Sequence, residues 1–315
     1  MTPEATVVVP THHHGELLLR SVGCALAQTV GDLEVLIVGD GATEETREAA
    51  LQLERSDARV RFFDNPKGPR LGEVHRAAAL EQAQGRLVFY LSDDDLWMPD
   101  HVERMTAALD AAHADFVHAP PVWVMPDGEL LVWLVDLAQP WFRELALRES
   151  RIPLSSGAHT LAAYRRLPVG WNTTPEGQYV DFMMWRRFLE QRDMTFAVSR
   201  THTVMHFPGS VREGISNAER ADELDDWLPA TRDLAARAAY LEQLAAHLHE
   251  RANWLDSHAG ELESWAQNRS QVVDLRNEQL SQAERERQRL EEVIRAMKSS
   301  RRWRAGERLR RLSRP

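Results

Sequence analysis

The sequence predicts an α/β protein, a mostly parallel sheet flanked by helices and followed by a long helical extension. Three observations predict it. Short apolar runs alternate with helix-length segments through the first hundred or so residues, as βαβ units require. Those runs end repeatedly in acid, glycine or proline. From residue 234 onward, leucine and alanine recur every seven residues, a helical period.

Taken in order, Thr6-Val7-Val8-Val9-Pro10-Thr11 reads as a strand closed by proline, and a helix follows over 16–28. Glu34 to Gly41 repeats the device, with Asp40 between two glycines at the strand's end. A helix over 44–55, a strand over 59–63 and a helix over 72–84 come next. The strand over 87–91 then delivers Asp93, Asp94 and Asp95, and Pro99 opens a further helix. Ligands of such sheets sit beyond the carboxyl ends of the strands, so Pro10, Asp40 and the three aspartates are expected at one edge. Three adjacent carboxylates repel one another unless a positive charge lies among them. A divalent cation with hard oxygen ligands answers that need, its remaining positions going to substrate phosphates. The alternative is an Asp-rich loop that caps a helix.

The order of Val-Val-Val-Pro-Thr at 7–11, Leu-Ala-Gln-Thr at 26–29, Asp-Leu-Glu-Val-Leu-Ile-Val-Gly-Asp-Gly at 32–41 and Ser-Asp-Asp-Asp-Leu-Trp-Met-Pro-Asp at 92–100 resembles the family-two glycosyltransferases. The resemblance is strong over 4–120 and looser over 150–210. It implies the GT-A fold, an inverting reaction on a nucleotide sugar, and Mn²⁺ or Mg²⁺ as cofactor. It also implies that Pro10, Thr11 and His12 meet the base, with His12 where an aromatic usually stacks. Asp40 then reads a pyrimidine edge, which favours a UDP- or dTDP-sugar, although Gly39 stands where many relatives carry a second acid. Asp93 and Asp94 face the donor, and Asp94, Asp95 and His206 are the expected metal ligands. His12 to His14 otherwise read as a nucleotide-facing or solvated loop, not as metal ligands.

Arg70 and Arg76 lie in a Gly- and Pro-bounded loop entering a helix, where a guanidinium suits a diphosphate. Arg70 is the stronger candidate; Arg76 reads equally well as surface. An inverting transfer also needs a base for the acceptor hydroxyl. Tyr179-Val180-Asp181-Phe182-Met183-Met184-Trp185-Arg186 resembles the family's acid-before-Trp-x-Arg pattern, with Asp181 in the base position and Val180 where a glutamate often stands. Asp181 equally suits a helix cap. Trp123, Trp133, Trp141 and Trp171 are candidates for a sugar-stacking surface or for core.

The C-terminal third reads separately. Leu234, Leu241, Leu248, Leu255 and Leu262 are seven apart, with Ala238, Ala245, Ala252, Ala259 and Ala266 at the companion position. A sustained heptad seam predicts a coiled coil and hence a homo-oligomer. A helix over 234–297 would run roughly 95 Å at about 1.5 Å per residue, too long to lie on one domain. Residues 298–315 then carry Lys298 and seven arginines against Glu307, a basic amphipathic segment suited to an anionic membrane. The chain's net charge of −10 opposes nucleic acid as partner. Cys24 is the only cysteine, which fits a reducing cytoplasm. No apolar run is long enough to span a bilayer and the first residues are no signal peptide.

The expectation is therefore a GT-A catalytic domain over 1–225, a coiled coil over 226–297 and a basic tail over 298–315. Its function is sugar transfer to a hydroxyl of a glycan or lipid-linked acceptor in surface polysaccharide synthesis, on the inner face of the cell membrane. A non-catalytic scaffold and a nucleotidyltransferase are the alternatives. The intact acids oppose the first, and the absence of a phosphate loop after the first strand opposes the second.

Overall fold

The computed structural model describes residues 3–133, 135–258, 260, 261 and 264. The first half alternates as expected: β1 (Ala5–Thr11), α1 (Gly15–Leu26), β2 (Leu33–Asp40), α2 (Glu44–Ser56), β3 (Val60–Asn65), α3 (Glu73–Glu81) and β4 (Leu87–Tyr90). There follow β5 (Leu96–Trp97), α4 (His101–Ala112), β6 (Phe116–His118), β7 (Pro121–Val124), β8 (Leu130–Val132), α5 (Pro140–Ala146), β9 (Gly157–Thr160) and α6 (Leu161–Arg166). The last elements are α7 (Val180–Leu189), β10 (Phe196–Val198), β11 (Val204–His206), α8 (Asn217–Trp227) and α9 (Leu234–Ser257).

The main sheet has the order β10-β6-β9-β4-β1-β2-β3. Its pairings are parallel except those of β9, which runs antiparallel to both β4 and β6. β1 and β2 are buried on both faces, which is why they read as unbroken apolar runs. Helices cover both faces: Leu17, Leu18 and Val22 of α1 join one core, and Leu80 of α3 with Trp185 and Phe188 of α7 join the other. Chain order reverses at β1, since β2 lies on one side of it and β4 on the other. That switch point opens the crevice in which such sheets bind ligands.

A second sheet, β5-β11-β7-β8, stands beyond the end of β4. Its strands are two to four residues long, too short to leave a period in the sequence. Trp171 is core, 4% exposed, whereas Trp133 and Trp141 are exposed. Trp123 meets His206 edge-on at 4.7 Å.

The first compact unit runs to Leu248 and takes in α8 and the first part of α9, so residue 225 falls inside a helix of that unit and not at its end. Tyr240 and Leu244 of α9 are buried in that unit. Leu241, Ala238, Ala245 and Ala252 are exposed. In the second unit, the described part comprises the end of α9 and a few residues after it. The heptads beyond 258 and the basic tail lie outside the described residues. Among those described, no helix is long and apolar enough to cross a membrane.

Candidate active site

The carboxyl ends of β1, β2 and β4 open onto a cavity of about 840 Å³. Pro10, Thr11, His12, Asp40, Arg70, Arg76, Asp93, Asp94, Asp181 and His206 all line it. Asp95 does not; it is wholly buried beneath.

Asp40 ends β2. Its carboxylate accepts from Lys67 Nζ at 2.5 Å and from the Gly68 amide at 2.6 Å. Gly72, at φ +69°, permits this approach, because a Cβ there would stand 2.5 Å from Asp40 Cγ. Packing accounts for Gly39 as well: a Cβ would come within 3.0 Å of the Phe62 ring. A side chain at this position would require the Phe62 ring and the Phe63 carbonyl to give way.

Arg70 sits in the left-handed region, φ 54°, a conformation that costs a non-glycine residue energy. From there Nη2 reaches the Gln178 carbonyl at 3.4 Å, joining the loop before α3 to the loop before α7. Arg76 lies deeper, with its guanidinium 4.9 Å from the Trp171 ring and Nη2 donating to the Leu71 carbonyl. Its Nε and Nη1 are buried without a protein partner, two donors that an anionic group in the cavity would satisfy. Arg76 is thus buried at the cavity wall, not a surface arginine.

Asp181 occupies the first turn of α7, whose N-cap is Tyr179 without a side-chain cap bond. Its Oδ1 accepts the Phe182 amide at 2.7 Å. Burial raises the Asp181 carboxyl above its usual range, against the pull of the Phe182 amide, His206 and Arg76. A raised pKa suits a carboxyl that must accept a proton.

The three aspartates diverge. Asp95 accepts from Ser155 Oγ at 2.5 Å, from the Phe207 amide at 2.9 Å, and from His206 Nδ1 at 3.0 and 3.1 Å. These bonds tie β4 to the second sheet. Burial disfavours the Asp95 charge, yet His206, Ser155 and the Phe207 amide hold its pKa below the ordinary value. Burial also opposes charge on His206, but Asp95, Asp94 and Asp181 raise its pKa. Of the expected metal trio, Asp94 and His206 line the cavity and Asp95 lies beneath it. Both Asp95 oxygens face Nδ1 of His206, and they also accept the Ser155 and Phe207 hydrogen bonds.

A second set of donors, sharing Asp94, lies one step further out. His14, Asp93 and Asp94 present ligand atoms within 4.8 Å of one another. Two carboxylates and an imidazole suit Mn²⁺ and, less closely, Mg²⁺, so these residues fit the cation. Nδ1 of His14 lies 2.7 Å from Asp93 Oδ1, and Arg220 of α8 reaches Asp94 Oδ2 at 2.5 Å. Asp94 titrates near 6, raised by burial and then by Asp95 and Asp93. The sequence reading gives His14 a non-ligand loop role and Arg220 no role; the structure brings both beside Asp93 and Asp94. The position of His14 just beyond the first strand was a usable signal. An arginine in an acid-rich helix, 126 residues from Asp94, gave none.

A family model described as Glycosyl transferase family 2 matches residues 6–169. The succinoglycan biosynthesis protein ExoO of Rhizobium meliloti (strain 1021) is 30% identical over 196 residues, covering 62% of this chain and 51% of that protein. The chondroitin synthase of Pasteurella multocida (strain Pm70) is 36% identical over 130 residues, covering 41% of this chain and 13% of that protein. The chain thus spans about half the length of the first relative and far less of the second. Among solved structures, S. aureus TarS 1–349 in complex with UDP-GlcNAc superposes with a TM-score of 0.52 at 16% identity, over 65% of this chain and 58% of that one. That likeness is one of fold.

Proposed function

Since this chain belongs to glycosyl transferase family 2, we propose that it moves a sugar from a nucleoside diphosphate sugar to a hydroxyl of a glycan or lipid-linked acceptor, by one inverting displacement dependent on Mn²⁺ or Mg²⁺. The observation that carries this reading is that Asp181 faces the same cavity as Asp40, Asp93 and Asp94. A base and a nucleotide-binding edge thus meet across one space.

His14, Asp93 and Asp94 would hold the cation, which when bound offsets charge on the departing diphosphate. Pro10, Thr11 and His12 bound the space for the base. Asp40, held by Lys67 and Gly68, keeps lone pairs for the imide N–H of uracil or thymine. Guanine presents a different donor pattern, so a UDP- or dTDP-sugar is favoured. Arg70 and the unpaired donors of Arg76 bind diphosphate or sugar oxygens. Asp181 takes the proton of the attacking hydroxyl, so negative charge grows on the nucleophile only as the anomeric bond forms. Ser155, the Phe207 amide and His206 act through Asp95, fixing the loop that bears Asp93 and Asp94.

The setting proposed is bacterial surface polysaccharide synthesis, in line with the succinoglycan role in ExoO's name. We assign the expected catalytic segment 1–225, with the rest of α8 and the docked start of α9, to catalysis. The remaining helical segment to 297, together with the exposed stripe of α9, we assign to self-association through a coil, and 298–315 to an anionic inner membrane face. The exposed stripe of Ala238, Leu241 and Ala245 supports the coil, since Tyr240 and Leu244 already dock α9. A screen of nucleotide sugars for Mn²⁺-dependent hydrolysis tests the catalytic reading. Hydrolysis of a UDP- or dTDP-sugar is expected; turnover of GDP-sugars alone would overturn the donor assignment, and no turnover of any donor would overturn the activity.

A further inference from the structure

Arg220 occupies the electrostatic place that a divalent cation would take. Its Nη2 lies 2.5 Å from Asp94 Oδ2 and its Nη1 lies 3.1 Å from His14 Nε2. His14 in turn lies 2.7 Å from Asp93. The guanidinium therefore links, directly or through His14, all three residues whose ligand atoms could hold a metal. It is almost buried, 8% exposed, and its Nε has no protein partner.

The helix that carries it is pinned. Arg20 of α1 grips Asp225 through Nε at 2.9 Å and Nη2 at 2.5 Å. Asn217 Nδ2 donates to the His13 carbonyl at 2.5 Å, and Ser216 with Glu219 forms a capping box. These contacts hold the backbone that carries Arg220 beside the cluster.

We propose that Arg220 is a resident counter-ion that competes with the divalent cation for His14 and Asp94, and that it couples cation binding to diphosphate binding. This rests on the donor and metal reading above. A cation that takes Asp94 strands a guanidinium in a poorly hydrated site, and a buried unpaired charge is costly. A diphosphate arriving with the cation supplies the missing anion. Cation and nucleotide then bind far better together than apart, a reciprocal coupling between two ligands. Without nucleotide, Arg220 keeps the acidic cluster neutralised.

The test is calorimetric titration of the full chain with Mn²⁺, with and without saturating UDP, in wild type, Arg220→Gln and Arg220→Lys. Arg220→Gln should bind Mn²⁺ alone about tenfold tighter and lose about tenfold in the Mn²⁺–UDP coupling factor. Arg220→Lys should stay close to wild type. A purely structural arginine would not tighten Mn²⁺ binding on removal. Unchanged or weaker binding of Mn²⁺ alone by a folded Arg220→Gln, with wild-type UDP affinity still responding to Mn²⁺, overturns the role of Arg220 and leaves the metal reading standing. If wild-type UDP affinity ignores Mn²⁺, the metal reading fails and takes this inference with it. Should Arg220→Gln not fold, Arg220→Lys decides alone: its Mn²⁺ affinity and coupling must match wild type, and a loss of coupling overturns the proposal.

Discussion

Tyr90 Oη lies 2.8 Å from His159 Nε2, and both side chains are fully buried. The phenol also accepts from the Trp171 indole at 3.0 Å, and His159 Nδ1 faces the Thr160 carbonyl at 3.0 Å. With Nδ1–H donating to that carbonyl, Nε2 is left to accept the phenol proton, and the imidazole is neutral. Burial holds the pKa of His159 down at about 4. His118 is likewise lowered to about 4 and His101 to about 3.

These three histidines predict acid sensitivity. Their folded pKa values lie below the ordinary 6.5, so below that pH the unfolded chain binds protons that the folded chain refuses. Stability is thus fully present above about pH 6.5 and is lost as pH falls toward about 4, at up to about 4 kcal/mol per pH unit. His14 and His206, whose pKa values are raised, contribute stability that is present below about pH 6.5 and lost as pH rises above it. The raised carboxyls of Asp94 and Asp181 take up protons in the folded state as pH falls and temper the acid loss. Urea unfolding followed from about pH 6.5 down to about pH 5 should show a falling midpoint. A midpoint constant over that range contradicts the neutral assignment.

Gly72→Ala should cost stability and nucleotide affinity together. Gly72 and Gly128 both have positive φ, +69° and +83°, but only at Gly72 would a Cβ collide with Asp40. Gly128→Ala therefore measures backbone strain alone, about 1 kcal/mol. Gly72→Ala should exceed it and weaken UDP binding as Asp40 is displaced. Equal melting temperatures and equal UDP affinities for the two variants would dissociate Gly72 from the base site.

Asp181→Asn separates chemistry from binding. It keeps the shape and the acceptor for the Phe182 amide but removes the basic oxygen. Donor affinity should hold while turnover falls on the order of 10²–10⁴-fold. Loss of donor affinity with turnover preserved would make Asp181 a ligand to the donor instead of the base.

The exposed stripe of α9 predicts self-association. Light scattering should find the full chain oligomeric, and Leu241→Glu should shift it toward monomer without altering donor hydrolysis. A monomeric full-length chain would remove the coil from the account. Vesicle flotation extends the test to the tail: loss of residues 298–315 should release the protein from anionic vesicles.

Much of this was legible in the sequence, for physical reasons. β1 and β2 are buried on both faces and so read as unbroken apolar runs, and their ends are marked by Pro10 near the end of β1 and by Asp40 with Gly41 at positive φ after it at the end of β2. The placing of Asp40, Asp93 and Asp94 at one edge followed from that punctuation. The division of labour among the aspartates did not. Asp95 differs from Asp94 through Ser155 and Phe207, partners that only the folded chain brings near. In α9 the docking residues Tyr240 and Leu244 share a helix with the Leu241 and Ala245 stripe. Both are helical spacings, and only tertiary contact shows which stripe docks.

The central claim is that the acidic cluster beyond β4 grips a nucleoside diphosphate through a divalent cation. UDP titrated calorimetrically into the full chain, once with Mn²⁺ and once with chelator, tests it most directly, with Asp93→Asn/Asp94→Asn as the comparison. The account predicts at least about tenfold tighter binding with Mn²⁺, equivalent to about 1.4 kcal/mol, and no such difference in the double variant. Equal affinity with and without metal in the wild-type protein would contradict it.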